Sequence, residues 1–247
     1  MNTFRILTLA LASLAASSAI AQITIDQNKA LAGNVTPGDT PGFPVRISQP
    51  GSYKLTSNLI VPASTPGIQI LAEGVTLDLN GFSLRGPGTC TRDGGTRAVT
   101  CLHKDIVSVG IESVGAGTVV RNGSVHGFGG TGVYLTESGH IEDLRLSHNA
   151  GYGAALSLGN ALGIEAEMNG MDGIRALSGS VTRSVARNNG ANGFTVIYLQ
   201  ESLAYENKGM GVNAAGARAT VSRSNGADNF QSTTKSMGGN LNGTAPW

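Results

Sequence analysis

Apolar and polar side chains alternate through Val75-Thr76-Leu77-Asp78-Leu79 before Asn80-Gly81, and again through Thr118 to Arg121 before Asn122-Gly123. A period of two that ends at an Asn-Gly pair predicts a strand closed by a tight corner. Further along, a longer period is laid over the short one. Asn149, Asn169, Asn189, Asn207 and Asn225 follow one another at steps of 20, 20, 18 and 18 residues. Four residues after each stand Gly153, Gly173, Gly193, Gly211 and finally Asn229. Counted back from each asparagine, the positions eight, five and three residues earlier are apolar or small, from Ile141, Leu144 and Leu146 in the first copy to Ala217, Thr220 and Ser222 in the last. The residue just after each coil's glycine, or after Asn229 in the last copy, forms a further, mostly apolar column: Val133, Ala154, Ile174, Phe194, Val212 and Phe230. So short a period predicts a solenoid, in which a coil buries its apolar side chains only by stacking on its neighbours. Two inward strands per coil, meeting at corners, would make a triangular tube.

A leucine-rich repeat is the rival solenoid, since Ile141-x-x-Leu144-x-Leu146-x-x-Asn149 fits its pattern. Its consensus, however, wants leucine where this chain mostly places Ser, Thr or Ala, and an 18-residue coil leaves little room for a return helix. Recurrent Asn and Gly suit sharp corners, because both tolerate the left-handed backbone conformation. Stacked asparagines ~4.8 Å apart are also spaced for an amide ladder, which makes them structural.

At the N-terminus Arg5, an apolar run from Ile6 to Ala16 and Ala19-Ile20-Ala21 read as a secretory signal over residues 1–21, with cleavage near Ala21. The mature chain is expected to be secreted or periplasmic and to lack a membrane span. Residues 22–66, rich in proline, are expected to cap the first coil; 67–231 to form the solenoid; and 232–247 to form a tail. Cys90 and Cys101 interrupt one coil as an inserted loop, and in an oxidising compartment they predict a disulfide. There are 36 glycines among 247 residues, and 17 basic against 16 acidic side chains. So balanced a charge offers no basic field for nucleic acid.

The Val-Thr-Leu-Asp-Leu-Asn-Gly strand at 75–81 and the later Asn-x-x-x-Gly-apolar coils resemble the right-handed parallel β-helix family that includes pectate lyases. The resemblance covers 67–230 and implies an all-β, right-handed single-stranded parallel β-helix with an N-terminal cap. It leaves activity open, since the fold carries lyases, hydrolases, epimerases and adhesins alike.

On such a tube, sites are read from columns of outward residues on adjacent coils. The column beginning Glu112, Tyr134, Ala155, Arg175 and continuing to Thr195, Asn213 and Gln231 is the first candidate. For a lyase of the kind the resemblance implies, Arg175 would neutralise a uronate and Tyr134 would shuttle a proton, with Glu112 beside them. No trio of acids stands on adjacent coils to hold Ca²⁺, so no cofactor and no metal are expected. Glu165 and Glu167 have the spacing of a hydrolase pair, yet Arg145 and Arg187 on neighbouring coils are placed to neutralise them. Arg92, Asp93 and Arg97 on the cysteine-closed loop, together with Glu165, Glu167 and Arg187, are candidate binding residues for an acidic glycan. His126 and His148, near one corner, lack the ligand count of a zinc site. The expected function is binding of a polysaccharide on an exposed face, with processing left open. The alternative is an adhesive solenoid that meets another protein through the stripe Val185, Leu203, Tyr205 and Val221, or a face covered by the tail.

Overall fold

The computed structural model describes residues 22–243 and the backbone of 245–246; the signal expected over residues 1–21 lies outside the described residues. The chain winds into about 10 turns of a right-handed parallel β-helix. Each regular coil carries strands on three faces rather than two. The first face runs through Val45–Ile47, Ile68–Ile70, Ile111–Ser113 and the openings of Val133–Ser147, Ala154–Leu162, Ile174–Thr182, Phe194–Gln200 and Val212–Arg218. The second takes Ile23–Ile25, Gly51–Leu55 and Val75–Asp78 and continues through the later parts of the long strands. The third stacks Leu59–Ile60, Ser83–Arg85, Glu165–Glu167, Val185–Arg187, Leu203–Tyr205, Val221–Arg223 and Leu241–Asn242. The extra face arises because the position eight before each asparagine and the positions five and three before it lie on either side of a corner. Asp143, Gly163, Arg183, Glu201 and Ala219 turn that corner with φ of 50°, 66°, 48°, 48° and 47°.

All the inward columns are buried, and in the first-face column Val133, Ala154, Ile174, Phe194 and Val212 are wholly so. Each larger member contributes ~1.5–3 kcal/mol by leaving water. Where Ser184 and Ser202 replace Ile164, the polar atoms are satisfied along the stack: Ile164 N–H donates to Ser184 Oγ (3.1 Å) and Ser184 N–H to Ser202 Oγ (3.1 Å). That substitution pattern is why a leucine consensus fails here.

The asparagines form a continuous amide ladder in which Nδ2 of Asn149, Asn169, Asn189 and Asn207 donates to Oδ1 of the next at 3.1, 3.0, 2.9 and 3.0 Å. Each also donates to a carbonyl three residues before the preceding corner, as Asn169 Nδ2 does to Leu146 O (2.9 Å). Neither these asparagines nor the glycines four residues on carry the left-handed turn. It falls on the residue before each asparagine, His148, Met168, Asn188, Glu206 and Ser224, at φ of 54–56°. Glycine is required instead by crowding: a Cβ on Gly173 would lie 2.8 Å from both Asn189 Nδ2 and Gly193 O. The ladder amide fills the space that a side chain would need.

Residues 22–66 contribute the short helix Gln27–Ala32, whose N-terminal Lys29 amide is accepted by the Asp26 carboxylate at 2.8 Å, and strands that already pair with the coils above. The insertion between Gly86 and Gly110 is an antiparallel hairpin, Cys90–Arg92 with Val99–Cys101, closed by the Cys90–Cys101 disulfide. It folds back on the corner between the third and first faces, where the two cysteines pack with Ala150 and Val99. At the other end Leu241 pairs with Val221, so this part of the tail adds a rung to the third face and does not cover it.

Candidate functional site

The register of the first face sets one outward column in line: Arg46, Gln69, Glu112, Tyr134, Ala155, Arg175, Thr195 and Asn213. Alternation explains it, since each is flanked by residues pointing into the core. Ala155, between Tyr134 and Arg175, leaves a gap where its neighbours have long side chains. An open cleft of about 700 Å³ lies over this stretch, floored by Gln69, Glu112, Tyr134, Ala155 and Arg175. One wall is apolar, formed by Ile106, Val107 and Val109 from the end of the inserted segment, with Leu177 across from them. Tyr152 and Thr131 form the corner-side edge.

Within the cleft Gln69 Nε2 donates to Glu112 Oε2 (3.2 Å), which orients the carboxylate without neutralising it. Arg175 Nη1 donates to the Tyr152 hydroxyl (2.8 Å), and its guanidinium carbon lies 5.4 Å from the centre of that ring. Behind Arg175 sits Asp172, buried and accepting the Asn192 amide (2.9 Å). Burial pushes the Asp172 carboxyl above the ordinary carboxylate value, against the opposing pull of the Asn192 amide, the Thr195 hydroxyl and the Arg175 charge. The cleft therefore combines a fixed cation, a carboxylate and two phenols with an apolar wall.

Tyr152 and Asp172 escaped the sequence reading. Both belong to the corner column just before the recurrent glycines, Thr131, Tyr152, Asp172, Asn192, Met210 and Asp228, whose carbonyls accept the amides of the glycines one coil back. Extending the column search from strands to corners would have found them.

The other candidates stand elsewhere. Glu165, Glu167 and Arg187 are on the third face, where Arg187 Nη2 bonds Glu165 Oε1 (2.8 Å) and Glu167 Oε2 (2.6 Å), and Arg145 Nε bonds Glu165 Oε2 (2.8 Å). Burial opposes ionisation of Glu165, but the bonds and charges of Arg145 and Arg187 outweigh it and hold its carboxyl below the ordinary value. These acids are engaged in a cross-strand charge network. Arg92 is turned onto the solenoid, with Nη2 3.3 Å from Glu206 O and 3.7 Å from its carboxylate. Asp93 closes its own turn by accepting the Thr96 and Gly95 amides, and Arg97 follows at φ 57°. None of these residues lines the cleft. His126 meets Arg85 across the strands, and burial, then Arg85 and His148, hold its imidazole below the usual value. Val185, Leu203 and Val221 stack in register on the third face, each half-buried. Among the described residues no group of three or more His, Cys, Asp or Glu is gathered as metal ligands, and no helix is long and apolar enough to cross a membrane.

Fold and cleft together define a right-handed parallel β-helix with a polar groove running along one outer face. No family model matches the chain, and no curated protein does. Among solved structures, pectate lyase Pel9A is similar at 14% identity and a TM-score of 0.49, over 88% of this chain and 75% of its own. The Dettilon tailspike protein is similar at 13% identity and a TM-score of 0.47, over 73% of this chain. The matched part is 39% of the tailspike's length. The fold assignment stands on the strand register itself.

Proposed function

We propose that this protein, exported to an oxidising compartment, binds a polysaccharide along its first face, an acidic glycan in preference to a neutral one. The observation that carries the reading is that Glu112, Tyr134 and Arg175, on separate coils, line one open cleft together with Tyr152. Phenol faces stack on sugar rings, a guanidinium pairs with a carboxylate in two parallel hydrogen bonds, and a groove along a stack of strands matches an extended chain. The disulfide supports export, since such bonds persist in oxidising compartments. Titration of the protein with defined acidic and neutral glycans tests the proposal, with Arg175→Ala and Tyr134→Ala expected to weaken binding, and Tyr134→Phe expected to lower activity if the glycan is processed. No binding across the panel would refute it. Whether binding proceeds to cleavage is decided by the same incubation, read for unsaturated or shortened products.

A second reading, adhesion through Val185, Leu203, Tyr205 and Val221, draws on the column in which half-buried Val185, Leu203 and Val221 stack up to exposed Leu241, with Tyr205 in the adjacent column between Arg187 and Arg223. It expects Leu203→Asp to disrupt assembly in size-exclusion chromatography while glycan binding is unchanged.

A further inference from the structure

The charges along the first face are few and unevenly placed. Arg175 is the cation in the cleft, and Glu112, three coils away, is ~14 Å from it along the stack. Glu112 makes no ion pair among the described residues; its side-chain hydrogen bond comes from the neutral Gln69. Beyond Arg175 the groove continues past Leu177 into a shallower depression of about 340 Å³, floored by Thr195, Asn213 and Gln231, all uncharged. From Arg46, which lies outside the cleft two coils before Glu112, the order along the axis is guanidinium, amide, carboxylate, phenol, gap, guanidinium, hydroxyl, amide, amide.

Coils follow one another at ~4.8 Å along this track, a step comparable to the length of one sugar ring, so a linear glycan lying along it sets about one unit on each coil. If every unit were acidic, one carboxylate would meet Arg175 while another lay against Glu112, and the other units between Gln69 and Gln231 would face groups that offer no charge. Two like charges at such contact distance repel by an amount worth about tenfold in affinity at a partly desolvated surface. The apolar wall, with Ile106 and Val107 largely exposed, likewise suits a chain with uncharged stretches.

We infer that the cleft selects a linear heteroglycan in which isolated acidic sugars are separated by neutral ones, seated with one carboxylate on Arg175 and neutral units over Glu112 and over Thr195 to Gln231. This rests on the proposed glycan-binding function and narrows it. A homopolymer of uronic acid is then a poor ligand.

Calorimetric titration with four probes of matched length tests this: oligogalacturonides, acidic at every unit; hyaluronan oligosaccharides, acidic at alternate units; gellan-derived oligosaccharides, acidic at one unit in four; and neutral cello-oligosaccharides. The gellan-derived and hyaluronan probes should both bind about tenfold or more tighter than the oligogalacturonide, since in each a carboxylate on Arg175 leaves a neutral unit three coils away over Glu112. Arg175→Ala should erase the advantage of the gellan-derived probe over the neutral one. Glu112→Gln, which keeps the side-chain shape and a carbonyl for Gln69, should narrow the gap between gellan-derived and oligogalacturonide probes by about tenfold. Oligogalacturonides binding as tightly as the sparse-acid chain, or a gap unchanged by Glu112→Gln, would overturn this inference and leave the glycan-binding reading standing. Tightest binding of the neutral probe would overturn it too, and binding of none of the four would remove both.

Discussion

Replacing Asn189 by alanine removes a carboxamide that is fully buried at the middle of the ladder. Its Oδ1 accepts the Asn169 amide (3.1 Å) and Asn169 Nδ2 (3.0 Å), while its Nδ2 donates to Ala166 O (3.1 Å) and Asn207 Oδ1 (2.9 Å). Three of the four partners keep a substitute: Asn207 Oδ1 retains the Asn189 amide (3.1 Å), Asn169 Nδ2 retains Leu146 O (2.9 Å), and the Ala166 carbonyl stays in the strand ladder with Val185–Arg187. The Asn169 amide loses its partner. At about 1–3 kcal/mol for the buried amide left without its partner and about 1 kcal/mol for the other lost bonds, the expected loss is about 2–4 kcal/mol. The control is Asn225→Ala near the end of the stack, where the side chain is half-buried and water can replace the lost bonds; about 1 kcal/mol is expected there. Urea unfolding followed by circular dichroism and by a second, tertiary-structure probe measures both, with coincident transitions licensing a two-state reading. Nearest-neighbour coupling in a solenoid adds a signature: the m-value of the Asn189 variant should fall if the lesion uncouples the coils on either side. Equal losses at the two positions, or less than ~1 kcal/mol at Asn189, would refute the idea that burial of the ladder fixes its worth.

Gly173→Ala should destabilise by a similar ~2–4 kcal/mol, because its Cβ would press on the ladder amide and on the Gly193 carbonyl; urea midpoints would show it, and a neutral outcome would mean the corner relaxes freely. Reducing the disulfide, or the pair Cys90→Ser with Cys101→Ser, should lower stability by up to ~3 kcal/mol and open 86–110 to proteases while the later coils stay protected. Asp172 gives a pH signature. Its folded carboxyl keeps its proton to higher pH than the unfolded chain does, so stability should fall as pH rises from the ordinary carboxylate range through the folded value. Asp172→Asn retains an acceptor for the Asn192 amide and should flatten that slope in thermal melts across the same window, whereas an unchanged slope would assign the pH dependence to another group.

The solenoid was legible because its cause is periodic. An amide that must hydrogen-bond to its own copy one coil away leaves an asparagine at every turn, and the glycine beside it records the space that amide takes. The physical reason first attached to that glycine, a left-handed corner, belongs instead to His148, Met168, Asn188, Glu206 and Ser224. Their chemical variety hid them, since a backbone conformation imposed by stacking does not demand one residue type. The third face was missed for the same reason: Asp143, Arg183, Glu201 and Ala219 carry no turn signature. The column of Glu112, Tyr134 and Arg175 could be aligned from the period alone, but the apolar wall could not. Ile106 and Val107 reach the cleft from an insertion whose path no repeat dictates.

Stacking therefore separates two kinds of position. Where a residue bonds to its own counterpart on the next coil, as Asn169 does to Asn189, substitution propagates along the axis and is read in stability. Where the counterpart differs in every copy, as along Thr131, Tyr152, Asp172, Asn192 and Met210, side chains bond along the axis at some rungs only, Asp172 accepting the Asn192 amide and Asn192 the Met210 amide (2.9 Å each), and the side chains of Thr131 and Tyr152 are left to serve a ligand. The cleft lies where that varied corner column meets the varied strand column of Glu112, Tyr134 and Arg175. Tyr152→Phe isolates the distinction. It removes the hydroxyl that holds Arg175 at 2.8 Å while keeping the ring. Unfolding should shift by less than ~1 kcal/mol, because the site is part-exposed and water can take the lost bond. Affinity for an acidic glycan should fall severalfold, because the guanidinium is no longer oriented. Lost stability with unchanged affinity would place Tyr152 among the structural columns and detach it from the cleft's chemistry.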